Sequence, residues 1–141
     1  VLPLHNSATG RAFAAFHRSP FVRRILDEEL QQAAARAKVA ITTLRRQLER
    51  NLTEIRTRGL SRATGSLTPG INGFSAPVYD HTASMVAAIT SLGPVGEFNV
   101  EWDSPAALAM LDSAASLSSS LGYGSIDGTS PGAPARNRTR A

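Results

Sequence analysis

The sequence predicts an α+β fold: an antiparallel sheet flanked by helices, lacking its N-terminal strands. Three observations carry this. Apolar residues recur at helical spacing in three successive stretches before Gly59. From Leu60 to Pro94 the pattern changes to short extended segments punctuated by Gly, Pro and Asp. A last helical stretch then runs to Gly122. The 141 residues are enough for one domain with a core. A sheet of three strands with one buried face is a thin core, which is why further strands or a second chain are expected to complete it.

The elements follow in order. "VLPLHNS" begins at Val1 rather than Met and reads as the end of an extended segment whose partner lies upstream, so the chain is expected to be the C-terminal portion of a domain. "SATGRAFAAFH" offers Ser7 as an N-cap, then Ala12, Phe13 and Phe16 on one face. In "SPFVRRILDEELQQAAARA", Ser19 caps, Pro20 sits in the first turn, and Val22, Ile25, Leu26 and Leu30 form the stripe. "TTLRRQLERNLTEIRTRG" repeats Leu44, Leu48, Leu52 and Ile55, and Gly59 ends it. "LSRATGSL" is extended and "TPGING" is a turn. "FSAPVYD" is a second strand, with Pro77 at an edge or bulge because it cannot donate to the ladder. "DHTAS" turns the chain into "SMVAAITSL", the third strand, paired with the second. Asp103 or Ser104 caps the final helix, Pro105 opens it, and Leu108, Leu111, Ala115 and Leu121 are its expected apolar stripe. These elements make one domain over residues 1–122. Residues 123–141, rich in Gly, Pro, Ser and Arg without periodicity, read as a flexible tail.

Charge is unevenly spread. The formal net charge is +4, yet residues 1–62 hold twelve of the fifteen Lys and Arg against five acids, while residues 63–122 hold five acids and no Lys or Arg. That is not a uniform nucleic-acid footprint. In "RRQLERNLTEIRTR" Glu alternates with Arg as on a solvated helix face, and no aromatic residues are interleaved. Arg136, Arg138 and Arg140 read as a solvated basic tail. No apolar run approaches the roughly 20 residues of a membrane span, no secretory signal is visible, and there is no cysteine. A cytoplasmic protein without membrane contact and without cofactor is expected.

Catalysis finds little support. His5, His17 and His81 are the three histidines and have no metal-ligand spacing. There is no GxSxG, no P-loop and no GxGxxG. Ser7 and Ser75 lack a recognisable base, and His5 reads as a structural residue bonding backbone at the entry of the first helix. The strands raise a different question, since "SMVAAITSLGP" and "PGINGFSAPVYD" carry Ala, Gly and Ser where Val and Ile pack better. Such strands either pack closely under a helix or leave room for a ligand.

"LHNSATGRAFAA", then "IRTRGLSRATGSLTPGINGFSAPVYDHTASMVAAITSLGP", then a helix ending "SSSLGYG", resembles the C-terminal effector-binding domain of the IclR transcriptional regulators over residues 2–122. No single element is specific; the ordered series is. The resemblance implies a GAF-like fold, a small-molecule effector, homo-dimers or tetramers, and operator DNA bound through an N-terminal winged helix-turn-helix that this sequence does not contain. Carried over position by position, it implies an effector site made by Ser7, Ala8, Thr9 and Gly10 at a helix N-terminus, Ala63 on the first strand, Ile71 and Gly73 on the second, and Thr90 and Leu92 on the third. N–H groups at that helix end suit a carboxylate.

The sequence departs from glyoxylate- and pyruvate-responsive members, which have an Asp at Ala63, a Cys at Gly73 and a Ser at Leu92, and "RATGSL" lacks the acids many members carry there. A less polar pocket is therefore expected, for an organic acid with an aromatic or apolar body. The same substitutions allow the other reading, a ligand-independent dimerisation or partner module derived from that domain. A small metabolic enzyme is the remaining alternative.

Overall fold

Ser7, Ser19 and Ser104 each stand in extended backbone just before a helix, and each hydroxyl accepts an N–H of the first turn. They start helices α1 (Ala8–Phe16), α2 (Pro20–Ala37) and α4 (Pro105–Ser120) in the computed structural model, which describes residues 2–65 and 67–124. Helix α3 (Ile41–Arg58) starts at Ala40 without a side-chain cap. It ends at Gly59, whose φ of 80° is the left-handed region that glycine enters freely. Between α3 and α4 lie strands β1 (Ser61–Thr64), β2 (Ile71–Tyr79) and β3 (Met85–Pro94).

The strands form one antiparallel sheet in the order β1-β2-β3. Strand β2 begins at Ile71, within the stretch read from sequence as a turn. Pro77 lies two residues past Ser75, the last β2 residue paired with β1, so β2 has no neighbour there on that side. A register irregularity follows at Val78/Tyr79. The central strand thus tolerates its proline where it is locally an edge. The turn into β3 is closed by the Asp80 carboxylate, which accepts from the N–H groups of Thr82 and Ser84.

Alternation divides the sheet into two faces. Phe74, Ala76 and Val78 pack with Leu60 against Ala107 and Ala114 of α4, and Phe98 and Trp102 complete that core. The opposite face, carrying Ala63, Gly73, Ser75 and Thr90, receives α1. A second core joins Leu30 of α2 to Leu48, Leu52 and Ile55 of α3, with Ala14, Ala15 and Phe16 of α1 against it.

Two sequence expectations need correction. The buried face of α4 is Ala107, Ala114 and Ser118; of the expected stripe Leu111 packs against the core, Ala115 is exposed, and Leu108 and Leu121 are 58% and 47% exposed. Ser118 donates to the Ala114 carbonyl and accepts the Tyr79 N–H at 3.0 Å. Small residues let this helix lie close enough to bond the strand, which a leucine stripe would prevent. The opening segment is not extended into a strand either, since residues 4–6 form a turn. The Glu29 carboxylate of α2 holds it, accepting from the N–H of Leu4 at 2.8 Å, the N–H of His5 at 3.1 Å and His5 Nδ1 at 2.9 Å. His5 is structural, as expected, but its ring partner is a side chain rather than backbone.

Residues 121–124 turn after α4, and from residue 125 onward the expected tail lies outside the described residues. Among the described residues, no helix is long and apolar enough to cross a membrane, and no group of His, Asp or Glu could hold a metal ion.

Candidate functional site

The N-terminus of α1 is fixed from three sides. Ser7 Oγ accepts the Gly10 N–H at 2.9 Å and donates to the Pro3 carbonyl at 2.7 Å. Gly10 is needed because the entry turn passes directly over it: a Cβ there would stand 2.6 Å from Leu4 Cα. Arg11 donates from Nε to the His5 carbonyl at 3.0 Å and from Nη1 to the Arg62 carbonyl at 3.5 Å, tying the turn and the helix to β1. Burial lowers the pKa of that guanidinium.

Of the nine residues expected at an effector site, the structure brings Thr9 and Thr90 into contact, hydroxyl to hydroxyl, at 2.8 Å. Ala63, Gly73 and Leu92 stand directly opposite one another in one row across the three strands. Ile71 lies two residues from Gly73 on the same face and pairs with Pro94 at the sheet's end. Ser7 and Ala8 are buried. Gly10 faces the entry turn rather than the sheet, and its N–H already serves Ser7, which leaves the N–H groups of Ala8 and Thr9 in the first turn for another acceptor.

The row is not empty. A Cβ on Gly73 would meet Leu92 Cδ2, and the Ser91 carbonyl at 2.8 Å, so the leucine covers the glycine. Leu92 is itself 63% exposed, so little packs over its far side. Three cavities elsewhere, of about 830, 330 and 260 Å³, include none of the nine residues in their walls.

In the next row sequence reasoning named Thr90 but missed Ser75 and Ser61. Ser75 is fully buried, and its Oγ meets Thr90 Oγ1 at 2.9 Å, so Thr90 joins Thr9 above to Ser75 below. Ser61 stands opposite Ser75, equally buried, and its Oγ has no partner among the described residues. Counting two residues on from Gly73 would have found Ser75; nothing local marks its partner, fifteen residues away.

A family model described as bacterial transcriptional regulator IclR, C-terminal, matches residues 1–119. Among solved structures, HmgR of Pseudomonas aeruginosa is similar at 37% identity with a TM-score of 0.71, over 92% of this chain and 48% of that one. The repressor BlcR of Agobacterium tumefaciens is similar at 25% identity and TM-score 0.66, over 86% of this chain and 49% of that one. The C-terminal domain of the Escherichia coli transcriptional regulator KdgR shares the fold at 22% identity and TM-score 0.66, over 86% of this chain and 72% of that one. The chain spans about half the length of the first two. No curated protein sequence matches it.

Proposed function

The chain belongs to the IclR family of transcriptional regulators, a non-enzymatic family, as a C-terminal effector-binding domain, and on that premise we propose that it senses a small organic acid with an aromatic or apolar body. C-terminal domains of this family bind small effectors and oligomerise. In this reading the effector biases one arrangement of a homo-dimer or tetramer in the cytoplasm. Winged-helix domains lying outside this sequence then gain or lose their operator spacing.

The observation that supports the reading is the Thr9–Thr90–Ser75 track at the start of α1. Hydroxyls rotate and exchange partners, so Thr9 can turn from Thr90 to a ligand. The adjacent N–H groups of Ala8 and Thr9 lie at the positive end of a helix, where a carboxylate is favoured. Ala63, Gly73 and Leu92 offer no charge, which suits an apolar body, and Leu92 is the wall that must move.

Calorimetric titration of an aromatic and aliphatic carboxylate panel tests this. Thr9→Val keeps the backbone donors and should lose only the hydroxyl's share, roughly 0.5–3 kcal/mol depending on the charge of its partner. Thr9→Pro also removes an N–H and should bind more weakly still. Equal affinities for all three proteins would overturn the site.

Two contacts favour the second reading, a ligand-independent oligomerisation module: Leu92 lies over Gly73 and Thr9 is bonded to Thr90, so these groups already have partners within the chain. A panel that never raises the melting temperature would support that reading, because a ligand binding only the folded state must stabilise it.

A further inference from the structure

The widest of the three cavities, about 830 Å³, lies at the other end of α1. Its walls are the end of α1 and the loop to α2, Arg56 of α3, the β2–β3 turn, and the ring pair Tyr79 and Tyr123. Arg18, Arg23 and Arg56 all line it, with His17, and among the described residues no carboxylate does. The side chains of Arg18 and Arg23 have no hydrogen-bond or ion-pair partner among the described residues. Arg56 is aimed by its Nε, which donates to the Ala15 carbonyl at 3.0 Å, and its acid partner Glu49 stands at 3.9 Å, the limit of an ion pair. The Ser19 N–H donates to His17 Nδ1 at 3.2 Å, so the neutral ring carries its proton on Nε2.

Like charges gathered in a concave wall repel one another, and an anion between them relieves that repulsion. The volume is that of a small-molecule site. Several guanidinium forks call for more than one negative charge, and their planar geometry matches phosphate oxygens. Beside them Tyr123, 44% exposed, stacks on Tyr79 with ring centroids 5.0 Å apart and offers a flat apolar wall.

We propose that this cavity is a second ligand site, separate from the start of α1, and that it takes a small phosphate monoester carried on a flat ring. The guanidinium groups of Arg18, Arg23 and Arg56 bind the phosphate, and the ring lies against Tyr123.

The test is titration of the 141-residue chain with phenyl phosphate, inorganic phosphate and benzoate at fixed ionic strength, with amide shifts followed by NMR. Phenyl phosphate should bind more tightly than either of the others and shift residues 15–19 and 82–84. Arg18→Ala and Arg23→Ala, both at exposed positions, should each weaken it by about tenfold or more. Tyr123→Ala should weaken phenyl phosphate but not inorganic phosphate. Thr9→Pro should leave phenyl phosphate binding unchanged, which separates this site from the one at the other end of the helix. Three results would each overturn the proposal: equal weakening by Arg46→Ala, which lies outside the cavity; benzoate binding as tightly as phenyl phosphate; or shifts confined to residues 8–10.

Discussion

Thr9 and Thr90 stand 81 residues apart in the chain and touch through their hydroxyls, and Thr90 passes the contact on to a fully buried serine. The two threonines are therefore not equivalent. Thr90→Val leaves Ser75 buried without its side-chain partner and should cost about 1–3 kcal/mol, whereas Thr9→Val breaks a bond near solvent and should cost about 0.5–1.5 kcal/mol. Urea unfolding of both variants checks the order. Equal losses would mean that the Thr90–Ser75 bond contributes nothing.

Gly10→Ala should destabilise although alanine is the better helix former by about 1 kcal/mol. The new methyl would press on backbone at Leu4 and Pro3, which a rotamer change cannot clear. Freeing the entry turn should relieve the strain. In a Glu29→Ala background, where Leu4 and His5 lose their anchor, the penalty of Gly10→Ala should shrink by at least about half. Thermal unfolding of the two single variants and the double variant decides it, and strictly additive losses would contradict the account.

The Arg62 guanidinium sits 4.3 Å from the ring centroid of Trp102, and its Nη1 donates to the Val100 carbonyl at 2.9 Å. Arg62→Ala should cost about 1–2 kcal/mol through the cation–π contact and the hydrogen bond. Trp102 is the chain's one tryptophan, so the change is directly visible: its fluorescence should shift to the red as the ring loses its cover. An unmoved spectrum would mean that the stack does not persist in solution.

Burial holds the Tyr79 phenol above its ordinary pKa; Tyr123 beside it adds to the effect and Arg18 opposes it. A pKa raised on folding means that the fold favours the neutral phenol. The stability this contributes is complete below the unfolded value of about 10 and is lost as the pH rises through the higher folded value. Alkaline titration by near-ultraviolet absorbance should therefore show one of the two tyrosines ionising late. Tyr79→Phe should remove that late step and flatten the loss of stability above pH ~10. A late step that survives the substitution would contradict its assignment to Tyr79.

Helix starts were legible in the sequence because a serine cap acts within three residues of itself, as at Ser7, Ser19 and Ser104. The face of α4 was legible only at Leu111, which packs against the core as expected. Leu108, Leu111 and Leu121 and the small residues Ala107, Ala114 and Ser118 both recur at helical spacing, and hydrophobicity alone favours the leucines. What decides is how closely the helix approaches β2, and that distance belongs to the pair of elements. His5 was read correctly as structural, but its partner Glu29 comes from a different helix, 24 residues on. At the candidate site, the family resemblance named Ala63, Gly73 and Leu92, and alternation put Leu92 on one face with Thr90; that the three form one row is a matter of register. That Leu92 folds over Gly73, and that Ser75 lies beneath Thr90, depends on strand register. The arginine-lined cavity draws its walls from all three N-terminal helices and the β2–β3 turn, and no single stretch of sequence announces it.

Because the Leu92 side chain occupies the space a side chain at Gly73 would need, positions 73 and 92 form a single choice of volume. A methyl gained at one must be surrendered at the other, within the limit that the Ser91 carbonyl sets on residue 73. A library randomising both should return folded members along a diagonal of constant combined size, with small-and-large pairs enriched over large-and-large pairs. Ligand preference on this face would then evolve by exchange between two strands, and a single substitution would reach a new preference only by first passing through a crowded or hollow intermediate.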